Sequence, residues 1–141
     1  VIAQSPDVVV IWVGVNDVWH KSSFGTGTDA DKFEKFYRAI IQQLQAHNIK
    51  VMLVTPTTIG EKNDYSNQQD GDLNKYSQII RNIAKDLNLP VCDLHSIFHL
   101  YEVNNNTVNA DKGILTIDGV HLNDAGNKLA ATEIWKVLKD M

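Results

Sequence analysis

The chain has 141 residues, of which 43% are hydrophobic, a formal net charge of −4 and one cysteine, Cys92. That is enough for one domain with a sizeable core, whereas the lack of any basic run argues against a nucleic-acid surface. No apolar stretch approaches the about 18 residues that a membrane span needs, and a single cysteine excludes an internal disulfide and a multi-cysteine zinc site.

Residues 1–7 read as the last turn of a helix running into a strand, so further sequence is expected to precede Val1. Val8–Val13 is an unbroken apolar run rich in Val and Ile, the pattern of a strand buried on both faces rather than a half-exposed one. Gly14 permits a sharp exit. Asn16 and Asp17 are then the first polar groups beyond the carboxyl end, where open α/β sheets bind ligands. Alone they fit a turn and a helix cap equally well. A loop from Ser22 to Thr28 follows, and Gly25, Gly27 and Ala30 formally match a dinucleotide G-x-G-x-x-A pattern. The glycines do not directly follow a strand and no acidic residue ends the next one, so they read as a flexible lip and no cofactor is expected.

Thr28 or Asp29 caps a helix reaching about Ala46, with Phe33, Phe36, Tyr37, Ile40, Ile41 and Leu44 on one broad apolar face. Asn48 ends it, and Lys50–Val54 forms a second buried strand. Thr57 to Asp72 is rich in Asn, Gln, Asp and Gly and reads as a surface loop. A helix from about Asp72 to Leu87 then buries Leu73, Tyr76, Ile80, Ile83 and Leu87, and Pro90–Leu94 is a short third strand. Ser96–Tyr101 is helical, with Ile97, Phe98 and Tyr101 inward. His95 and His99 stand at metal-ligand spacing, but with no third ligand nearby they read as an exposed helix face, and no metal is expected. Asn104–Asn106 is a turn. Asn123 or Asp124 caps a last helix that buries Ala130, Ile134, Val137 and Leu138. This alternation, without repeat or linker, predicts one α/β domain with a parallel sheet and right-handed crossovers.

Asp118 and His121 lie three apart across a turn containing Gly119, so a carboxylate can fix one imidazole nitrogen and leave the other free as a base. By itself the pair fits a turn aspartate beside a surface histidine more readily. The topology shifts the balance, because Asn16, the Thr57–Glu61 segment and His121 all follow strands and converge on one edge of the sheet.

Gly14-Val15-Asn16-Asp17 resembles the G-x-N-D block of the SGNH (GDSL-like) hydrolases, and Asp118-Gly119-Val120-His121 resembles their D-x-x-H block. Thr55–Glu61 and Gly113–Thr116 resemble bacterial members with esterase activity, and the similarity runs from about Asp7 to Leu138. The resemblance implies a three-layer α/β/α sandwich around a parallel sheet, the flavodoxin-like SGNH hydrolase fold, and hydrolysis of small-molecule esters through a serine acyl-enzyme. Acetyl groups on a carbohydrate are one such substrate. His121 would be the general base and acid, Asp118 its orienting partner and Asn16 an oxyanion donor, with Gly14 and Asp17 supporting the loop. Trp19 and Ile59 would be pocket walls or core.

The family's Gly-Asp-Ser block and its second block do not occur, nor does a G-x-S-x-G elbow. Ser5, Ser22, Ser23, Ser66, Ser77 and Ser96 all lack the expected context. The nucleophile is therefore expected upstream of Val1, and these residues alone are expected to be inactive. An N-terminal segment or a second copy is expected to cover the edge of the Val8–Val13 strand, which would lack its first neighbour. Two rival readings are a non-catalytic module that keeps the fold and binds a ligand or partner, and a metallohydrolase using Asp17, Asp118 and His121, which nothing else in the sequence favours.

Overall fold

In the computed structural model, which describes all 141 residues, the middle strand β2 (Lys50–Val54) turns one apolar run into two cores. Val51 and Leu53 enter one cluster, and Met52 and Val54 enter another, because successive side chains on a strand point to opposite faces. Strands β1 (Val8–Trp12) and β3 (Val91–Cys92) flank β2 in the order β1-β2-β3. Both pair with it in parallel, Val8 opposite Lys50 and Val54 opposite Cys92.

Helix α1 (Val15–Phe24) follows β1, and α2 (Ala30–Ala46) leads to β2. The chain continues through α3 (Asp70–Leu87), β3, α4 (Leu94–Asn105) and α5 (Asp124–Leu138). Phe33, Tyr37, Ile41 and Leu44 of α2 pack with Leu73, Tyr76, Ile80 and Ile83 of α3 on one face of the sheet. Leu94 and Phe98 of α4 and Ala130 of α5 pack on the other. The result is a three-layer α/β/α sandwich, in which each fully buried Leu, Ile or Phe contributes about 1.5–3 kcal/mol.

Several expectations are corrected. Residues 15–24 form α1 rather than running into a loop at Ser22. Only Val18 of that helix is buried, so there is no apolar periodicity to read, and Gly25 in the left-handed conformation ends it (φ 64°). Phe36 and Ile40 are 61% and 49% exposed; the face of α2 that meets the core is narrower than its apolar stripe. Leu87 is likewise exposed, at the end of α3. Strand β3 is two residues long because Asp93 leaves the sheet to cap α4, its side chain accepting from the Ser96 N–H. Asn104 and Asn105 are helical, and Asn106 is buried, donating to the carbonyls of Glu61 and Ala110. In the Thr57–Asp72 segment, Thr57, Thr58, Ile59 and Glu61 are buried, so its first part belongs to the interior.

Helix α5 docks through its N-terminus. The Asn123 side chain accepts from Gly126 N at 2.9 Å and donates to Ile114 O at 3.2 Å, and a Cβ on Gly126 would collide with the Leu115 carbonyl. Gly→Ala at an open helical position would gain about 1 kcal/mol. Gly126→Ala should instead lose about 1–3 kcal/mol, the scale of overpacking, read as a lower urea midpoint at unchanged slope.

Candidate active site

The Asp118–His121 turn is fixed by hydrogen bonds from its own backbone N–H groups. Gly119 holds φ at 96° and its N–H donates to Thr116 Oγ1 at 2.9 Å, while Ile117 N donates to His121 O at 2.8 Å. Asp118 Oδ1 accepts from the N–H groups of Val120 and His121 at 3.0 and 2.8 Å. Its Oδ2 lies 2.7 Å from His121 Nδ1. These donors, the imidazole foremost, hold the Asp118 carboxyl well below its ordinary range, at about 2. A carboxylate there requires the proton on Nδ1 of a neutral ring. Nε2 then keeps its lone pair, and the His121 side chain is 65% exposed.

This turn rests on the segment after β2. Gly60 N donates to Gly119 O at 2.8 Å and Glu61 N to Asp111 O at 3.0 Å. The Glu61 side chain is fully buried and accepts two backbone N–H groups, Ile114 at 2.8 Å and Leu115 more closely still. Sequence reasoning did not single out Glu61 for this, since one acidic residue in a polar run looks like any solvated one.

Helix α1 brings the third part. Gly14, at φ 122°, turns the chain from β1 into α1 within two residues. Asn16 is exposed in the first turn, and its amide makes no hydrogen bond within the chain. Asp17 Oδ1 accepts from Thr28 N at 3.2 Å, which ties down the loop after α1. One turn beyond Asn16 the Trp19 ring meets His121 edge-on, with ring centroids 5.5 Å apart. Positions i and i+3 share a helix face, so the face carrying Asn16 is the one turned toward the imidazole. Ile59, expected as pocket wall or core, is buried in the core cluster shared by the sheet, α2 and α3.

None of the six serines is hydrogen-bonded to His121; Ser77, for example, donates back to Leu73 O and Ser96 to Asp93. Cys92 is no substitute nucleophile, since it is buried and burial pushes its thiol up to about 11. His95 and His99 do not form an exposed helix face. His95 Nδ1 lies 2.9 Å from Thr57 O and His99 stacks on Tyr65, both beside a cleft away from His121. No group of three or more His, Cys, Asp or Glu side chains is gathered to hold a metal ion. No helix is long and apolar enough to cross a membrane.

A parallel α/β/α sandwich with a histidine–carboxylate pair and a free amide at the carboxyl edge of its sheet is the frame of a hydrolase site. The profile of the GDSL-like lipase/acylhydrolase family matches residues 1–129, and the chain belongs to that family. It is 28% identical over 125 residues to a multidomain esterase of Ruminococcus flavefaciens, covering 86% of this chain and 14% of that protein. It is also 28% identical over 106 residues to an acetylxylan esterase of Geobacillus stearothermophilus, covering 70% of this chain and 46% of that one. The chain thus spans less than half the length of these two curated relatives. The crystal structure of an acetyl xylan esterase, AlAXEase, superposes with a TM-score of 0.95 at 61% identity, over 96% of this chain and 69% of that one.

Two measurements probe this geometry. Glu61→Gln places an amide NH2 against one of two buried N–H groups, and should cost about 1–3 kcal/mol and speed hydrogen exchange at Ile114 and Leu115. Because the folded-state pKa of Asp118 is depressed, its contribution to stability is present above its ordinary value of 3.8 and lost as pH falls toward about 2. A carboxyl-carbon NMR titration should place its midpoint near 2, and His121→Ala should move that midpoint upward.

Proposed function

We propose that this protein hydrolyses carboxylic esters through a serine acyl-enzyme, with acetyl groups on a carbohydrate as the leading substrate class. The observation that carries the reading is the 2.7 Å bond from His121 Nδ1 to Asp118, which leaves Nε2 free on the face shared with α1. The esterase names of its relatives, acetylxylan esterases among them, support it.

In this scheme Nε2 of His121 removes the proton of a serine hydroxyl as its oxygen bonds to the ester carbonyl carbon. The Asn16 amide donates to the oxyanion that develops. Collapse of the tetrahedral intermediate breaks the bond to the alcohol, which leaves with the proton from His121. Water, deprotonated by the same nitrogen, then releases the acid and restores the serine. Asp118 stays ionised throughout, holds the ring in one tautomer and stabilises the imidazolium. The scheme takes the nucleophilic serine from a segment outside these 141 residues. That segment, or a second copy of the chain, would pair along β1, an edge strand whose end leaves Trp12 and the following Val13 exposed.

The complete protein should hydrolyse p-nitrophenyl acetate. His121→Ala should lower kcat/KM by about 10²–10⁴, and Asn16→Ala should lower kcat by about 10²–10³ with little change in KM. Equal rates for the parent and His121→Ala would sink the proposal, whereas a binding module would leave both without activity.

A further inference from the structure

A second concavity lies beyond the Thr57–Thr58 stretch, enclosed by the 57–67 loop, the start of α3 and one side of α4. Its volume is about 570 Å³, and only one of its fourteen lining residues, Tyr65, is hydrophobic. None of the fourteen belongs to α1 or to the Asp118–His121 turn. Pockets for acyl chains and most small ligands are lined mainly by apolar side chains; this one is lined by polar side chains whose carbon stems still form much of its wall, so its occupant brings polar groups together with C–H surface.

The charges exclude a strongly ionic occupant. Arg81 is already bound through Nε and Nη2 to both oxygens of Asp93, at 2.9 and 3.0 Å. Lys62 and Asp70 leave one charge of each sign. Glu102 is buried against Glu61, and burial followed by that neighbouring charge raises its carboxyl to about 8, so at pH 7 it is largely the neutral acid. The lining therefore has little net charge while offering both donors and acceptors.

Part of that capacity is unspent. Glu102 Oε1 is fully buried and has no hydrogen-bond partner, a state rare enough in folded proteins to need a reason. His95 Nδ1 faces the Thr57 carbonyl at 2.9 Å, which requires the proton on Nδ1 and leaves Nε2 an acceptor. The Asn74 amide makes no hydrogen bond within the chain. Beside these groups Tyr65, 72% exposed, and His99 hold their rings 4.5 Å apart at 35°, an aromatic surface backed by the cleft.

An uncharged ligand that presents hydroxyls around its rim and C–H groups on its face fits this combination. We infer that the cleft between the 57–67 loop, α3 and α4 is a binding site for a neutral sugar unit, separate from the His121 site, with the Tyr65–His99 rings against the sugar face and Glu102, His95 and Asn74 bonded to its hydroxyls. Sugar hydroxyls exchange water bonds for protein bonds at small net gain, so affinity in the millimolar range is expected.

The test is independent of ester chemistry. Unacetylated xylobiose and cellobiose are titrated into the protein while the backbone amides and histidine rings are followed by NMR. Saturable shifts at His95, His99 and the 57–67 loop, with Kd about 1 mM, are expected, while the His121 ring does not move. Tyr65→Ala, at an exposed position that leaves the core intact, should weaken binding about three- to tenfold, and Asn74→Ala should also weaken it. Shifts centred on His121, equal affinity in Tyr65→Ala, or no saturable response at about 10 mM of either sugar would overturn the inference.

Discussion

A buried carboxylate holding two backbone amides is the constraint from which the site follows. Glu61 sits at the end of the stretch that leaves β2, and its oxygens receive the N–H groups of Ile114 and Leu115. A carboxylate taken out of water is tolerated only with such partners. Once made, these bonds fix the approach of the 111–121 segment, and Gly60 bonding to Gly119 O sets its register. The Asp118–His121 turn is thus held by the Glu61 carboxylate and by main-chain bonds, leaving Nε2 of His121 free for chemistry. Glu102 shows the other side of the same physics. A second carboxyl buried near the first is pushed toward the neutral acid, first because burial strips its water and then because Glu61 carries a charge of the same sign.

Parallel topology supplies the rest of the geometry. Every strand of a parallel sheet ends at the same edge, so the exits of β1 and β2 share one rim. Gly14 lets α1 start almost at once after β1, which places Trp19 beside the turn that carries His121 and Asn16 one turn earlier on the same helix. The order of events in the chain is therefore unimportant to the site. A helix that starts at residue 15 and an imidazole at residue 121 meet, through Trp19, because both are read out at the carboxyl end of one sheet.

The stretch from Thr57 to Glu61 has two sides. Gly60 and Glu61 bond to the segment bearing Asp118, while Thr57 and Thr58 form a wall of the polar cleft that reaches Glu102.

The strands β1 and β2, the amphipathic helices α2 and α3 and the capped start of α5 were legible in the sequence because local pattern dictates them. An apolar run ended by Gly14 or Pro56 is a strand, though only β2 is buried on both faces, since β1 at the sheet edge buries Ile11 alone. Asn123 before an α-helix is a cap whatever the surroundings. The Asp118–His121 spacing was legible for the same reason, since three residues around a glycine suffice to bring the side chains together. Other features were set only by tertiary structure. Helix α1 buries a single residue and carries no periodic signal, so its contacts with the 25–28 loop and His121 define it. Phe36 and Ile40 repeat at core spacing, yet the packing of α2 leaves them outside. Glu61, Glu102 and the histidines of α4 look like ordinary polar residues along the chain. Their roles come from burial and from partners 38 to 53 positions away, and a one-dimensional pattern does not encode the low dielectric that gives a buried carboxyl its consequences.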